Sequence, residues 1–131
     1  YFPLDRHGPE TYRRSVYHQN ARASVVDVLN DFDLPDIAFA APRRANTTTP
    51  LQALTLLNHR FTTDMAQALV ARLEQGGGAT GVPQVNEAYA IAFQREPTAD
   101  ERAAAVELIA AHGLPAFCRA LLNLNELVYL D

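Results

Sequence analysis

Between Asn46 and Arg60 the chain reads NTTTPLQALTLLNHR, and no other stretch constrains the fold as strongly. Thr49-Pro50-Leu51-Gln52 is a capping box. The threonine hydroxyl accepts the amide of the third helical residue, and the glutamine reaches back to the threonine amide. Pro50 takes the first helical position, where its missing N–H costs nothing. A helix of about ten residues is predicted from here, ending near Asn58, which tolerates the left-handed conformation of a C-cap. Leu51, Leu54 and Leu57 are the expected buried stripe, continued by Phe61 and widened by Leu56. A helix this short does not persist alone, so the rest of the chain must hold it by packing.

The chain has 131 residues, 48% of them apolar, enough for one domain, 1–131, with a core of its own. The net charge of -4 is mild, and all 11 basic residues are arginine. An acidic balance argues against general nucleic-acid binding. The single cysteine, Cys118, excludes an internal disulfide and lies in an apolar helical pattern, which predicts an inert core thiol. No window reaches the ~18 apolar residues of a membrane span. The opening Tyr1-Phe2-Pro3, without an initiator methionine or signal peptide, reads as a fragment or processed product of something longer.

In chain order, residues 1–10 contain two prolines and a glycine and read as an irregular lead-in. Residues 11–19 are expected to be extended, from their Tyr and Val content. Val25, Val28, Leu29 and Phe32 recur at helical spacing and predict a helix over 21–32, stopping before Pro35. A linker over 33–48 should be pinned by Ile37 and Phe39. After the capped helix, a second is expected over 62–75, with Thr62 or Thr63 as cap, Asp64 near its start, and Met65, Ala66, Leu69 and Leu73 inward. Gly76-Gly77-Gly78 ends it; with no following Lys-Ser/Thr this is a connection and not a phosphate cradle. Val85, Ala88, Tyr89, Ala92 and Phe93 form the face of a helix from Pro83 to about Gln94. Thr98 and Glu101 make another capping box. It launches a helix through Val106, Ile109 and Ala110 to Gly113. Pro115 then seeds a last helix, with Phe117, Ala120, Leu121, Leu124 and Val128 in register to an apolar end that should dock. The fold expected is all-α: a compact bundle of about five to six helices with an irregular N-terminal third.

YRRSVY at 12–17, FDLPD at 32–36, RRANTTTPLQALTLLN at 43–58, AFQREPTADE at 92–101 and ALLNLNELVYLD at 120–131 follow one another as in a single family. The chain resembles the planctomycete-specific, cytochrome-associated C-terminal domain of unknown function, over most of residues 11–131. The motif positions here are Arg14, Ser15, Tyr17, Phe32, Asp33, Pro35, Asp36, Arg44, Thr47, Thr49, Pro50, Gln52, Leu54, Leu57 and Asn58, then Asn123, Asn125 and Glu126. The family's Gly-Arg pair is here Gln94-Arg95, and Arg22 is the nearest candidate for its basic residue after the tyrosine. The resemblance implies an exported, extracytoplasmic protein, periplasmic or secreted, that carries a cytochrome c-like module elsewhere. Haem would then belong to the parent polypeptide, with no cofactor in this chain. It implies no reaction.

Four constellations remain to be weighed. Arg13, Arg14, Arg43 and Arg44, with Asn46, Thr47 and Thr48 at the mouth of the capped helix, would make an anion- or partner-binding patch if they meet; the plainer reading is a solvated face or ion pairs with Asp31, Asp33 and Asp36. Those three aspartates are dense in oxygen ligands but lack EF-hand spacing, so turn capping around Pro35 is preferred to a metal. His7, His18, His59 and His112 are scattered, with no HExxH and no orienting acid beside His18. Asn58, Asn123, Asn125 and Glu126 lie beside apolar stripes and must be paired if buried. We read a non-catalytic structural or interaction module docking on upstream domains of the same polypeptide, with self-association in isolation. A second reading is part of a polysaccharide-acting enzyme or an acidic-sugar-binding module. A third is a docking surface for a redox partner.

Overall fold

The computed structural model describes residues 14–17, 27–35, 39, 42–43, 47–76 and 81–129. Every regular element among them is helical, as the periodicities predict. The chain divides into two units, Tyr1–Thr55 and Leu56–Asp131.

In the first unit, Ser15–Tyr17 is a single 3-10 turn closed by the Tyr17 amide on the Arg14 carbonyl at 2.9 Å. This corrects the extended segment expected there: β-propensity has no force without a neighbouring strand to pair with. Helix α1 (Asp27–Asp31) is the described part of the helix expected over 21–32; Val25 lies outside the described residues. Its end is made by Asp33, in the left-handed region at φ 57°. The Leu34 amide then reaches the Leu29 carbonyl at 3.1 Å, a Schellman-type closure. The helix therefore stops on an aspartate, ahead of Pro35. Phe39 is exposed and does not pin the linker; Ile37 lies outside the described residues.

Helix α2 (Pro50–Asn58) begins where the capping box places it. The Thr49 amide donates to Gln52 Oε1 at 3.1 Å, and the Gln52 amide to Thr49 Oγ1 at 3.3 Å. Its orientation is the reverse of the one expected. Leu51, Leu54 and Leu57 are 56%, 55% and 42% exposed, whereas Gln52 and Thr55 are buried. These three leucines are thus on the outside and a polar pair on the inside, while Leu56 and Phe61, expected to widen and continue the stripe, are half-buried. Asn58 is the last helical residue and is not left-handed.

The second unit contains α3 (Arg60–Gln75), α4 (Val82–Phe93), α5 (Ala99–His112), α6 (Leu114–Leu121) and α7 (Asn125–Val128). The cap of α3 is His59, in place of Thr62 or Thr63: its Nδ1 accepts the Phe61 amide at 3.1 Å. Asp64 falls past the first turn and pairs with Arg60 four residues earlier. Helix α5 has the expected cap, with the Glu101 amide donating to Thr98 Oγ1 at 3.3 Å and the Thr98 amide to Glu101 Oε2 at 2.7 Å. Gly113 both ends α5 and caps α6, at φ 84° and ψ 166°, a conformation essentially reserved for glycine.

The core of this unit is Ala66 and Leu73 of α3, Val85, Ala88 and Tyr89 of α4, Ala105 of α5, and Leu114, Phe117, Cys118 and Leu121 of α6. Helix α6 places its four buried residues, Leu114, Phe117, Cys118 and Leu121, at i, i+3, i+4 and i+7. That stripe wedges between α3 and α5, while α4 touches α3, α5 and α7. Cys118 is fully buried, and burial pushes its thiol up to about 11. It is a core residue, as its pattern predicts. Three details differ. Ala105, not Ala110, faces the core from α5. The last helix is broken by a turn at 122–124, leaving Ala120 and Leu124 exposed. Of the C-terminal run, Leu127 and Val128 are half-buried and Tyr129 is exposed.

Candidate functional site

The polar face of α2 explains its inversion. Thr55 Oγ1 donates to Asp31 Oδ2 at 2.6 Å. Gln52 Nε2 donates to Thr47 Oγ1 at 3.1 Å, and that hydroxyl donates in turn to Asp33 at 2.8 Å. The Thr47 amide donates to the other Asp33 oxygen at 2.7 Å. Gln52, at the third position of the helix, is thus tied both to the cap and to the chain before it. Buried polar groups need partners, and these partners lie up to 24 residues away. Once Gln52 and Thr55 face them, helical geometry turns Leu51, Leu54 and Leu57 outward.

This lattice absorbs several residues that the sequence marks as candidates. Asp31 and Asp33, weighed for a metal, are both hydrogen-bond acceptors within the lattice, and no group that could hold a metal occurs among the described residues. Asp36 lies outside them. Thr47 is the hinge of the lattice, and Thr48 is exposed. Asp33 supplies a carboxylate to the Thr47 amide, just before the helix mouth. Arg14 and Arg43 are both exposed. Arg13, Arg44 and Asn46 lie outside the described residues.

The second unit contains a cluster that the sequence reading did not assemble. Arg95, in the turn between α4 and α5, holds two carboxylates in forked geometry. It reaches Glu101 through Nη1 at 2.9 Å and Nη2 at 2.8 Å, and Glu126 through Nε at 2.8 Å and Nη2 at 2.6 Å. Its guanidinium also lies 5.3 Å from the ring centre of Tyr89 and 5.5 Å from that of Phe93, within cation–π range. Gln94 positions it, as the left-handed C-cap of α4 at φ 56°. The turn at 122–124 positions Glu126 by starting α7 afresh.

The electrostatics follow from this geometry. The Arg95 fork, helped by the Thr98 amide, holds the Glu101 carboxyl down at about 2. Arg95 likewise lowers Glu126, and the two carboxylates raise the guanidinium above its ordinary value. The Tyr89 hydroxyl is pushed up, first by burial and then by Glu101. Glu101 is therefore ionised at neutral pH and is no general acid of the kind glycoside hydrolysis needs. Each member of the cluster was visible separately, Glu101 in a capping box, Arg95 and Glu126 in family motifs. Only the fold joins positions 95 and 126, which are 31 residues apart.

Other polar candidates have local roles. Asn123 Nδ2 donates to the Arg119 carbonyl at 2.7 Å. His112 is in the last turn of α5. Arg102 joins α5 to α4 through Asn86 Oδ1 at 3.1 Å and to the Pro97 carbonyl at 3.2 Å.

No helix among the described residues is long and apolar enough to cross a membrane. No curated protein and no solved structure matches the chain. A family model does, over residues 3–109, which take in α2 and the Arg95 turn and leave the 120–131 motif outside. The chain belongs to that family, PSD1, protein of unknown function (DUF1553).

Proposed function

We propose that this chain is a non-catalytic structural and interaction module, in which the outward leucine row of α2 is the docking surface. The observation that carries this reading is the inversion of α2. Leu51, Leu54 and Leu57 are each 42% exposed or more, while the polar residues between them are buried and hydrogen-bonded. A leucine gains about 1.5–3 kcal/mol on passing from full exposure to full burial, so a row of three is a substantial drive to association. The row carries no charge, and between Thr47 and Asn58 the chain has no ionisable side chain. The matching surface is then apolar too.

The partner in this proposal is the upstream part of the same polypeptide. The parent is of the planctomycete type, exported and extracytoplasmic, with this chain as its C-terminal part and a cytochrome c-like module elsewhere holding the haem. Nucleic acid is not among the partners. When the chain is isolated, the leucine row is expected to drive self-association.

Sedimentation velocity and binding of an apolar dye test the proposal, on the chain and on the variant Leu51→Gln/Leu54→Gln/Leu57→Gln. The expected result is concentration-dependent association and dye binding, both removed in the variant while far-UV circular dichroism is kept. A wild-type chain that is a clean monomer and binds no dye would overturn the reading.

A further inference from the structure

The second unit contains an open cavity of about 220 Å³ between α5 and α6. Its walls are apolar: Ala104 and Leu108 from α5, Phe117 and Ala120 from α6. Two polar residues also line it, Tyr89 and Glu101. Tyr89 is 4% exposed, and a tyrosine so deeply placed ordinarily hydrogen-bonds its hydroxyl. Among the described residues the hydroxyl has no hydrogen-bond partner. No side-chain polar atom among the described residues is both sealed and unpartnered, so this hydroxyl is reachable from outside.

Glu101 retains capacity as well. An ionised carboxylate has about four acceptor positions. Three are taken, by Arg95 Nη1, Arg95 Nη2 and the Thr98 amide. The charge of the Arg95 cluster is also unbalanced, because one guanidinium faces two carboxylates, Glu101 and Glu126. The next cation along α5, Arg102, is turned away to Asn86 and the Pro97 carbonyl. The lining of the cavity therefore includes a spare acceptor and a hydroxyl without a partner among the described residues, beside an apolar trough.

We propose that this cavity binds a small apolar amine, with its alkyl or aryl body in the trough and its ammonium group at Glu101 and Tyr89. The carboxylate supplies the charge complement, and the Tyr89 oxygen accepts a second N–H. An anion of the same shape meets the unbalanced charge and is rejected. The site is independent of the leucine face of α2, so either can fail without the other.

The test is a titration of the isotope-labelled chain, followed by amide chemical shifts, with phenethylamine and with its near-isosteric anion phenylacetate. Phenethylamine is expected to shift amides of α5 and α6, and phenylacetate to bind at least roughly tenfold more weakly. Tyr89→Phe removes a hydroxyl without a hydrogen-bond partner among the described residues, so the fold is kept and amine affinity falls several-fold. Ala104→Leu fills the trough from an exposed wall and abolishes the shifts. Localised binding lost in Ala104→Leu and weakened in Tyr89→Phe supports the site. Absence of localised shifts, equal affinity for the anion, or unchanged binding in Ala104→Leu would overturn it.

Discussion

Replacing Thr55 with valine sets two effects of opposite sign against each other. The two side chains have nearly the same shape, so no cavity opens. If Thr55 is merely a buried residue on a packed face, Thr55→Val exchanges a hydroxyl for a methyl and gains up to about 0.8 kcal/mol. If its bond to Asp31 at 2.6 Å holds α2 in its inverted orientation, the variant loses a hydrogen bond to a charged acceptor, a loss of about 1.5–3 kcal/mol. The net expectation is destabilisation by about 1–2 kcal/mol. Native-state amide exchange across residues 53–58 measures it where it acts, as loss of protection in α2. A cycle with Asp31→Ala isolates the pair: in that background Thr55→Val should cost nothing or stabilise. Unchanged or greater protection in the single variant, or the same cost with and without Asp31, would refute the claim that this bond orients the helix.

Three further expectations follow from particular residues. Gln94→Gly relieves a left-handed position at φ 56° and should stabilise by about 0.5–1 kcal/mol in urea denaturation, the unfolded-state entropy of glycine offsetting part of the gain. Glu101 has its folded-state pKa lowered from 4.5 to about 2, so its contribution is complete above about 4.5 and disappears as pH falls toward 2; the stability gap between wild type and Glu101→Gln should close over that window, and a gap that stayed constant would contradict the Arg95 geometry. Leu121→Ala, at a residue 1% exposed, should cost about 2–5 kcal/mol, whereas Leu54→Ala, at a residue 55% exposed, should change the stability of the chain by about 0.5 kcal/mol or less at concentrations low enough to keep it monomeric.

What the sequence by itself determined are the features that close within a few residues. The capping boxes at Thr49–Gln52 and Thr98–Glu101 bond residues three apart. Gly113 ends α5 because its backbone conformation suits glycine alone. The stripe of α6 is legible because an apolar helix face has one period wherever it packs. These are local equilibria between the backbone and its nearest side chains, and a linear reading contains both partners.

Tertiary structure alone decided which face of α2 turns inward. Composition argues for its leucines, but the partners of Gln52 and Thr55 are Thr47, before the helix, and Asp31, 24 residues away. Leaving a buried acceptor unpaired costs about as much as burying a leucine gains, so local hydrophobicity does not settle the outcome. The Arg95 cluster is of the same kind. A guanidinium, a capping glutamate and a glutamate in the last helix carry no spacing that links them, and α7 has to return to α4 before they meet. The surroundings of the Tyr89 hydroxyl are likewise tertiary, since an apolar stripe predicts where a tyrosine ring is buried and says nothing of what its oxygen will find.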